Sequence, residues 1–358
     1  MNPPGPHHAL RIDQLGKARS TAARAVRESL VMGLLGFCGL FTLCITVGII
    51  FVLFRESFHF FSAPHPDAQG EIVRVSFWEF ITGGTWNPLL GAEKNFGIWA
   101  LILSTFKIVI VAMAFALPLG LLIAIWLSEY ARPKVRSVIK PVLEVLAGIP
   151  TVVFGFFALT VITPMLRLDF ADVHPALGFL NFGQEGGFNP LNLGTYNALS
   201  AGLAVGIMCL PIVTSLSEDA LRAVPSALRE GAYGLGSNRF ETSIKVVVPA
   251  ALSGIIAAFL LAIARAVGET MIVALAAGST PVQMRDVDGG INWGQIFALN
   301  TDVQPMTGYM VQIFTGDAPH GTVEYYSSYA VAATLFVLTL GITVVGNVVQ
   351  RRFREHYT

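Results

Sequence analysis

Six apolar runs, each long enough to cross a lipid bilayer as a helix, constrain this sequence more than any other feature. A transmembrane helix needs about 20 predominantly apolar residues. The runs cover Leu30–Phe54, Ile98–Leu127, Val142–Leu166, Leu199–Leu221, Ala250–Gly278 and Ser328–Val349. Charged residues make up only 13% of the chain, against roughly 25% in an average soluble domain. The sequence therefore predicts an all-α polytopic membrane protein with six transmembrane helices.

A polar leader, residues 1–28, precedes the first run. That run is too long for the apolar region of a cleaved signal peptide, so we expect it to be a true span. Residues 29–358 are then predicted to form one transmembrane domain, with a cytoplasmic loop at about residues 222–249 between the fourth and fifth spans.

Basic residues are distributed unevenly between the loops. Sixteen of the 23 Lys and Arg residues precede the first run or follow the second, fourth and sixth, whereas the remaining loops hold five basic and thirteen acidic residues. By the positive-inside rule, both termini are predicted to be cytoplasmic. A formal net charge of zero gives no attraction to nucleic acid. The acidic outer loops suit cations, the docking of a partner protein, or solubility alone.

Two charges, Arg265 and Glu269, interrupt the fifth run near its middle. A charge at the centre of a bilayer costs roughly 2.5–3.5 kcal/mol on insertion scales, so such residues usually face the bundle interior or mark a path. At i and i+4 of a continuous helix the two side chains would share one face. They would form an internal ion pair or line a water-accessible path, with the Thr270 hydroxyl nearby. Lys107, in the second run, would snorkel to the interface or add a second contact on the path.

The 222–249 loop is predicted to contain a short helix. Pro225 opens an amphipathic pattern, Gly236 ends it as a left-handed cap would, and Pro249 opens the next helix. Such a helix would rest on the membrane surface or fit a groove in a cytoplasmic partner.

Motifs of catalysis and metal binding are scarce. The sequence has no GxxxxGK[ST] phosphate-binding loop, no HExxH and no Cys/His cluster with zinc spacing. We therefore expect no metal and no cofactor bound by this chain.

Several of these stretches resemble one family. Glu230, Gly231 and Ala232, followed by Gly236 and Pro249, resemble the EAA loop of ABC importer permeases, although the triplet reads Glu-Gly-Ala. RAVGETM, residues 265–271, resembles the signature of the permease subunits of the high-affinity phosphate importer, and LAGIPTVVFGFF, residues 146–157, resembles that family's third-span motif. Residues 306–336 are similar to the PstC-type subunit rather than the PstA-type subunit. The resemblance extends from about residue 30 to 355.

The resemblance implies a type I ABC importer permease fold and a transport subunit, not an enzyme, that moves inorganic phosphate across the plasma (bacterial inner) membrane. It also implies partners: a second homologous permease, two ATPase subunits that use ATP and Mg, and a periplasmic or surface phosphate-binding protein. Glu230, Gly231, Ala232, Gly236 and Pro249 would couple the chain to the ATPase.

On this interpretation Arg265, Glu269, Thr270 and Lys107 line the substrate path. The planar guanidinium of Arg265 can donate two hydrogen bonds to phosphate, and Glu269 would hold it when phosphate is absent. Three alternatives stay open: a permease for another oxyanion, a channel or secondary transporter acting alone, and a membrane-embedded enzyme acting on phosphate-bearing lipid.

Overall fold

The structure is a computed structural model, and it describes residues 7–89, 94–167, 191–284 and 290–352, with residues 7–26 as backbone alone. The chain divides into two units, residues 1–55 and 56–358. The backbone of the predicted polar leader is helical from His7 and continues without a break into the first predicted span. Residues 1–6 of that leader lie outside the described residues.

Within these ranges the chain forms fifteen α-helical segments and two small antiparallel hairpins. The helices are α1 (His7–Ser62), α2 (Phe77–Thr82), α3 (Trp99–Ile125), α4 (Pro133–Ala147), α5 (Thr151–Phe157), α6 (Thr163–Leu166), α7 (Ala198–Ala223), α8 (Ser226–Gly234), α9 (Arg239–Thr242), α10 (Val248–Ala250), α11 (Leu252–Val267), α12 (Met271–Ala276), α13 (Trp293–Phe297), α14 (Met306–Gln312) and α15 (Val323–Arg352). The hairpins pair β1 (His65–Pro66) with β2 (Ile72–Val73) and β3 (Trp86–Asn87) with β4 (Asn95–Phe96).

Four of the described helices, α1, α3, α7 and α15, are long and apolar enough to cross a membrane. Two bent helix pairs bring the number of possible spans to six. The predicted class, an all-α polytopic membrane protein, is therefore confirmed, but the two bent pairs differ from the continuous helices that the sequence predicts.

The third span bends by 89° between the α4 helix and the α5–α6 segment. The bend lies at Gly148-Ile149-Pro150, where Pro150 has an extended ψ of 135°. A residue that precedes proline is disfavoured in the α region, so a helix usually ends at or before it. The prediction of one helix over Val142–Leu166 is therefore wrong.

The fifth predicted span, Ala250–Gly278, is also interrupted. The segment 239–250 meets α11 at 71°, and α11 ends at Gly268, a residue with low helix propensity. Glu269 and Thr270 lie outside any helix before α12 begins at Met271. Arg265 and Glu269 consequently do not share the face of one helix, which corrects the prediction made from their spacing.

The core is built around α3 and α7, which run parallel and in close contact. A Cβ at Gly202 would lie 2.6 Å from the Val111 side chain, and one at Gly120 would lie 2.6 Å from Val213. Small residues let two membrane helices approach to backbone contact. The two helices therefore pack closely at both of these points, and α7 leads directly into the 222–249 loop.

At the end of the molecule opposite this loop, short elements pack around an aromatic cluster. Phe60, Phe80, Trp86, Phe96 and Tyr309 are all buried there. The Trp86 and Tyr309 rings meet edge to face with centroids 4.9 Å apart, an arrangement favoured by the aromatic quadrupole. This cluster holds the β3–β4 hairpin and α14 against the start of α3.

Candidate transport path and coupling helix

Arg265 lies in the last turn of α11 with an exposed side chain. One guanidinium nitrogen contacts the sulfur of Met208, on α7, at 3.8 Å. The ion pairs of the described residues include none between Arg265 and a carboxylate. The described residues thus show no internal pair with Glu269, and the polar contact they give the guanidinium is the Met208 sulfur.

Glu269 is buried, and its side chain accepts hydrogen bonds from the backbone. Its Oε1 accepts hydrogen bonds from the N–H groups of Met271 and Ile272, at 3.2 and 3.4 Å. These are among the first N–H groups of α12, which have no acceptor within the helix. The Glu269 carbonyl in turn accepts from Thr307 Oγ1, on α14, at 2.7 Å. Glu269 thus joins the broken fifth span to α14 and does not restrain Arg265.

Thr270 and Lys107, the other residues predicted on the path, also bond to protein. The Thr270 hydroxyl donates to the Gly268 carbonyl at 3.2 Å. Lys107 is buried, and its Nζ donates to the carbonyls of Gln295 and of Ala298, the latter at 2.9 Å. Because the ammonium group ties the C-terminal end of α13 to α3, it does not snorkel to the interface.

The predicted short helix in the 222–249 loop is present as α8, preceded by Pro225. Gly236 has a φ of +88°, the left-handed conformation that suits glycine after a helix end. Glu230 and Gly231 are exposed, Ala232 is buried, and Pro249 stands in the first turn of α10. Four of the EAA-like residues thus lie on one short helix and the turn that ends it, whereas Pro249 lies further along the chain in α10.

An exposed apolar patch surrounds this helix. Tyr233, Leu235 and Phe240 are 42%, 90% and 67% exposed. Large apolar side chains grouped on a surface mark an interaction site more often than isolated ones do. The patch, defined by these three residues, is a candidate interaction surface.

The sequence analysis did not single out Arg229 as a site residue, yet its hydrogen bonds connect α8 to neighbouring segments. Its guanidinium donates to Glu129, in the π-helical segment Trp126–Tyr130 that continues α3, at 3.0 and 3.4 Å. It also donates to the carbonyls of Leu221 and Val224, at 2.8 and 2.7 Å. Those two carbonyls belong to the C-terminal end of α7, where a cation is favourable. Glu129 and Arg229 lie 100 positions apart in sequence, so no local pattern could have revealed the pair.

A second polar cluster joins α4 to α7. Glu218 is fully buried and is approached by Arg136 at 2.6 Å and by Lys140 at 3.2 Å. A buried carboxylate persists only when it is paired. This cluster holds α4 alongside α7 despite the sharp bend that follows α4.

The fold and the short helix in the 222–249 loop agree with a class of protein, the membrane-spanning permeases of ABC importers, and a family model shows the family. A model of the family described as binding-protein-dependent transport system inner membrane component matches residues 116–355. The chain belongs to that family.

Curated relatives agree with this assignment. The chain is 36% identical over 208 residues to the Probable ABC transporter permease protein YqgH of Bacillus subtilis, covering 58% of this chain and 60% of that protein. It is 36% identical over 205 residues to the phosphate transport system permease protein PstC of Mesorhizobium japonicum, covering 56% and 61%. The matched regions thus span about 60% of these relatives' lengths. The probable PstC of Methanocaldococcus jannaschii is 29% identical over 87% of this chain and 91% of its own. The resemblance to PstC-type permeases is confirmed.

Solved structures support the fold alone. A bacterial ABC transporter for the import of the acidic polysaccharide alginate matches with a TM-score of 0.52 at 15% identity, over 78% of this chain and 85% of that one. The MetNI methionine ABC transporter in an inward-facing form matches with a TM-score of 0.50 at 15% identity, over 72% and 98%. At such identities the likeness extends to the arrangement of helices and not to the cargo.

Proposed function

We propose that this chain is a permease subunit of an ATP-driven importer that moves inorganic phosphate across the inner membrane. The observation on which the proposal depends is the exposed guanidinium of Arg265, whose described polar contact is the sulfur of Met208. Similarity to PstC proteins favours phosphate as the cargo. A second, similar permease subunit would complete the path, and a phosphate-binding protein would dock at the end of the molecule opposite the 222–249 loop.

Arg265 provides the chemistry that phosphate requires. A guanidinium stays charged at every relevant pH and presents a planar fork that can donate two hydrogen bonds to one phosphate. In this fold the fork is exposed, and its described contact is the weak acceptor Met208 Sδ. Because Glu269 is engaged with the backbone of α12, an arriving anion does not have to displace a carboxylate. This differs from the exchange mechanism that the sequence suggested.

The structure also offers a route by which an ATPase would act on Arg265. The exposed patch of Tyr233, Leu235 and Phe240 suits a groove in a partner, and Arg229 links α8 to α3 and α7. Met208 lies on α7 and contacts Arg265. Closure of two ATPase subunits, which would bind ATP and Mg, would thus reach the path through the α3–α7 pair.

Labelled phosphate uptake by cells that carry Arg265→Gln, with co-purification of the ATPase from the same membranes, tests the proposal. Loss of a charge-assisted contact of about 1.5–3 kcal/mol predicts roughly a 10-fold to 100-fold fall in uptake, with the ATPase still bound. Arg265→Lys should restore part of the rate, since it keeps the charge and loses the fork. The exposed Arg74, outside the spans, supplies the control Arg74→Gln, which should transport normally.

Two results would contradict the proposal. Full phosphate uptake by Arg265→Gln would remove Arg265 from the path. Uptake by the wild type that is supported by another oxyanion and not by phosphate would instead show that the cargo is that anion.

A further inference from the structure

A second feature of the molecule, away from Arg265, has the character of a ligand site. A cavity of about 560 Å³ lies between the β3–β4 hairpin, the segment after α12, and α14. Its polar lining comprises Asn87, Ser279, Thr280, Gln283, Gln304, Gln312 and Asp317, beside the rings of Trp86 and Tyr309. Among the described lining residues none is a Lys, Arg or His, so the donors that the described part of the chain offers a ligand here are neutral.

Several hydrogen-bonding groups in this lining are left without partners. Gln304, 4% exposed, donates its amide to Gln312 Oε1. Within the described part of the chain, neither the Gln304 carbonyl oxygen nor the Gln312 amide nitrogen has another partner. The hydroxyls of Ser279 and Thr280 are exposed at the same cavity. Neutral donors therefore converge on one space.

Trp86 gives the clearest indication that a ligand or water occupies this cavity. Its side chain is 1% exposed, and its indole Nε1 has no hydrogen-bond partner among the described residues. Buried polar groups of native proteins are nearly always paired, and an orphan calls for an explanation such as an absent water or ligand. The aromatic contacts with Phe80, Phe96 and Tyr309 hold the indole in place.

The cavity is connected to the proposed path by one short helix. Gln312 and Tyr309 on α14 line the cavity, while Thr307 on the same helix donates to the Glu269 carbonyl. On the other side, Gly278 turns the chain after α12 with a φ of +103°. A Cβ there would lie 2.6 Å from Asp302, so the turn that presents Ser279 and Thr280 requires glycine.

We propose that this cavity is an entrance subsite that receives the oxyanion before it reaches Arg265. The inference rests on the proposed function, and it adds to the transport path a second site at which the substrate binds. Oxyanions accept hydrogen bonds from amide, hydroxyl and indole groups, whereas contacts with a cation are roughly twice as strong. An anion would therefore pass from neutral donors to Arg265 in the direction of stronger binding.

Asp317, the one charged residue in the described lining, restricts which ligands the cavity suits. A carboxylate is an acceptor alone, so it repels a fully ionised oxyanion and can accept a hydrogen bond from an oxyanion that keeps a proton. The Gln304 carbonyl oxygen adds a neutral acceptor. The subsite thus suits a partly protonated oxyanion, such as hydrogen phosphate.

The test uses the assembled transporter in vesicles with saturating, phosphate-loaded binding protein, and measures labelled phosphate delivered per ATP hydrolysed. Trp86→Phe, Thr280→Val and Gln312→Met each remove a donor while nearly preserving volume. Each should lower that ratio about threefold to tenfold, the loss expected for one hydrogen bond. Thr315→Val is the matched control, because Thr315 is exposed, bonds to its own helix and does not line the cavity.

The outcomes separate the subsite from the proposed function. Wild-type ratios in all three donor variants, each assembled normally, would overturn the subsite and leave a cavity that holds water alone. A wild-type transporter that moves a different oxyanion would refute phosphate as the cargo. The same three variants should then still lower delivery of that anion if the subsite exists.

Discussion

The individual charges of this protein perform different tasks that their positions in the sequence do not distinguish. Arg265 and Lys107 both lie within apolar runs, yet Arg265 is exposed and Lys107 is buried against two carbonyls. An uncompensated charge at membrane depth is functional more often than structural. The structure thus separates an exposed Arg265, which we propose acts in transport, from a Lys107 that is held by protein carbonyls.

Replacing Lys107 should destabilise the protein rather than impair transport alone. Lys107→Met leaves the carbonyls of Gln295 and Ala298 without their donor, and should lower the free energy of unfolding by about 3 kcal/mol, the scale of hydrogen bonds to a charged group. Thermal unfolding of the detergent-solubilised protein measures this. Lys245→Met is the control, since Lys245 is exposed and its ion pair with Glu241 spans 3.7 Å. Equal stability of the two variants would contradict the role given to Lys107.

The environment of Asp67 predicts that the region of the β1–β2 hairpin loses stability at acidic pH. Burial works to raise the pKa of Asp67, but hydrogen bonds from the N–H groups of Glu71 and Gln69 and the nearby Lys94 ammonium outweigh it. The net result is a pKa below the ordinary 3.8. The stabilisation is complete above that ordinary pKa and is lost as the pH falls through the lower native pKa. Thermal midpoints measured from pH 7 to pH 3 should fall at the acid end in the wild type and less in Asp67→Asn.

At the scale of elements, the breaks in the helices matter more than the helices themselves. Pro150 turns α4 away from α5, and Gly268 ends α11 so that Glu269 caps α12. Because α3 and α7 approach closely at their glycines, we expect a displacement at one end of the pair to be carried to the other. Arg229 lies where that displacement would enter.

Reversing the pair of Arg229 and Glu129 tests this route. Arg229→Glu alone places two carboxylates together and removes the cap of α7, so transport per ATP hydrolysed should fall at least about tenfold, as for a broken, partly buried pair. The double variant Arg229→Glu with Glu129→Arg should recover part of the loss. Co-purification of the ATPase confirms assembly, and Arg239→Glu, on the exposed start of α9, serves as the control.

Two results would argue against Arg229 as the link. Normal transport by the single variant would mean that the motion travels by another route. An equal defect in single and double variants would mean that the carbonyls of Leu221 and Val224, and not Glu129, are the essential partners.

At the scale of the whole molecule, two exposed features are candidates for contact with other subunits. The exposed Arg265 and the apolar patch at Tyr233, Leu235 and Phe240 both face outward from residues 56–358. An apolar patch turned to solvent indicates a partner surface. We expect the isolated subunit to be less stable than the assembled complex, because a partner that binds the folded state stabilises it.

Orientation in the membrane is a prediction at this scale. Starting from a variant with Cys38, Cys44 and Cys209 replaced by Ser, single cysteines at Ser237 and Gln69 can be labelled with a membrane-impermeant maleimide. The charge distribution predicts that Ser237→Cys reacts from the cytoplasmic side and Gln69→Cys from the outside. The reverse pattern in intact cells and inverted vesicles would refute cytoplasmic termini.

The sequence by itself determined the class of the protein, the approximate spans, the coupling helix and the presence of charges at membrane depth. These follow from local properties: apolar length, basic-residue asymmetry, and the proline and glycine that bound α8. Only the tertiary structure decided which charged side chains are held by other groups of the protein and which are exposed. Glu269 bonds to backbone two and three residues away across a helix break, and Arg229 meets Glu129 from 100 positions away. Because such contacts depend on where the chain bends and returns, periodicity and spacing do not encode them.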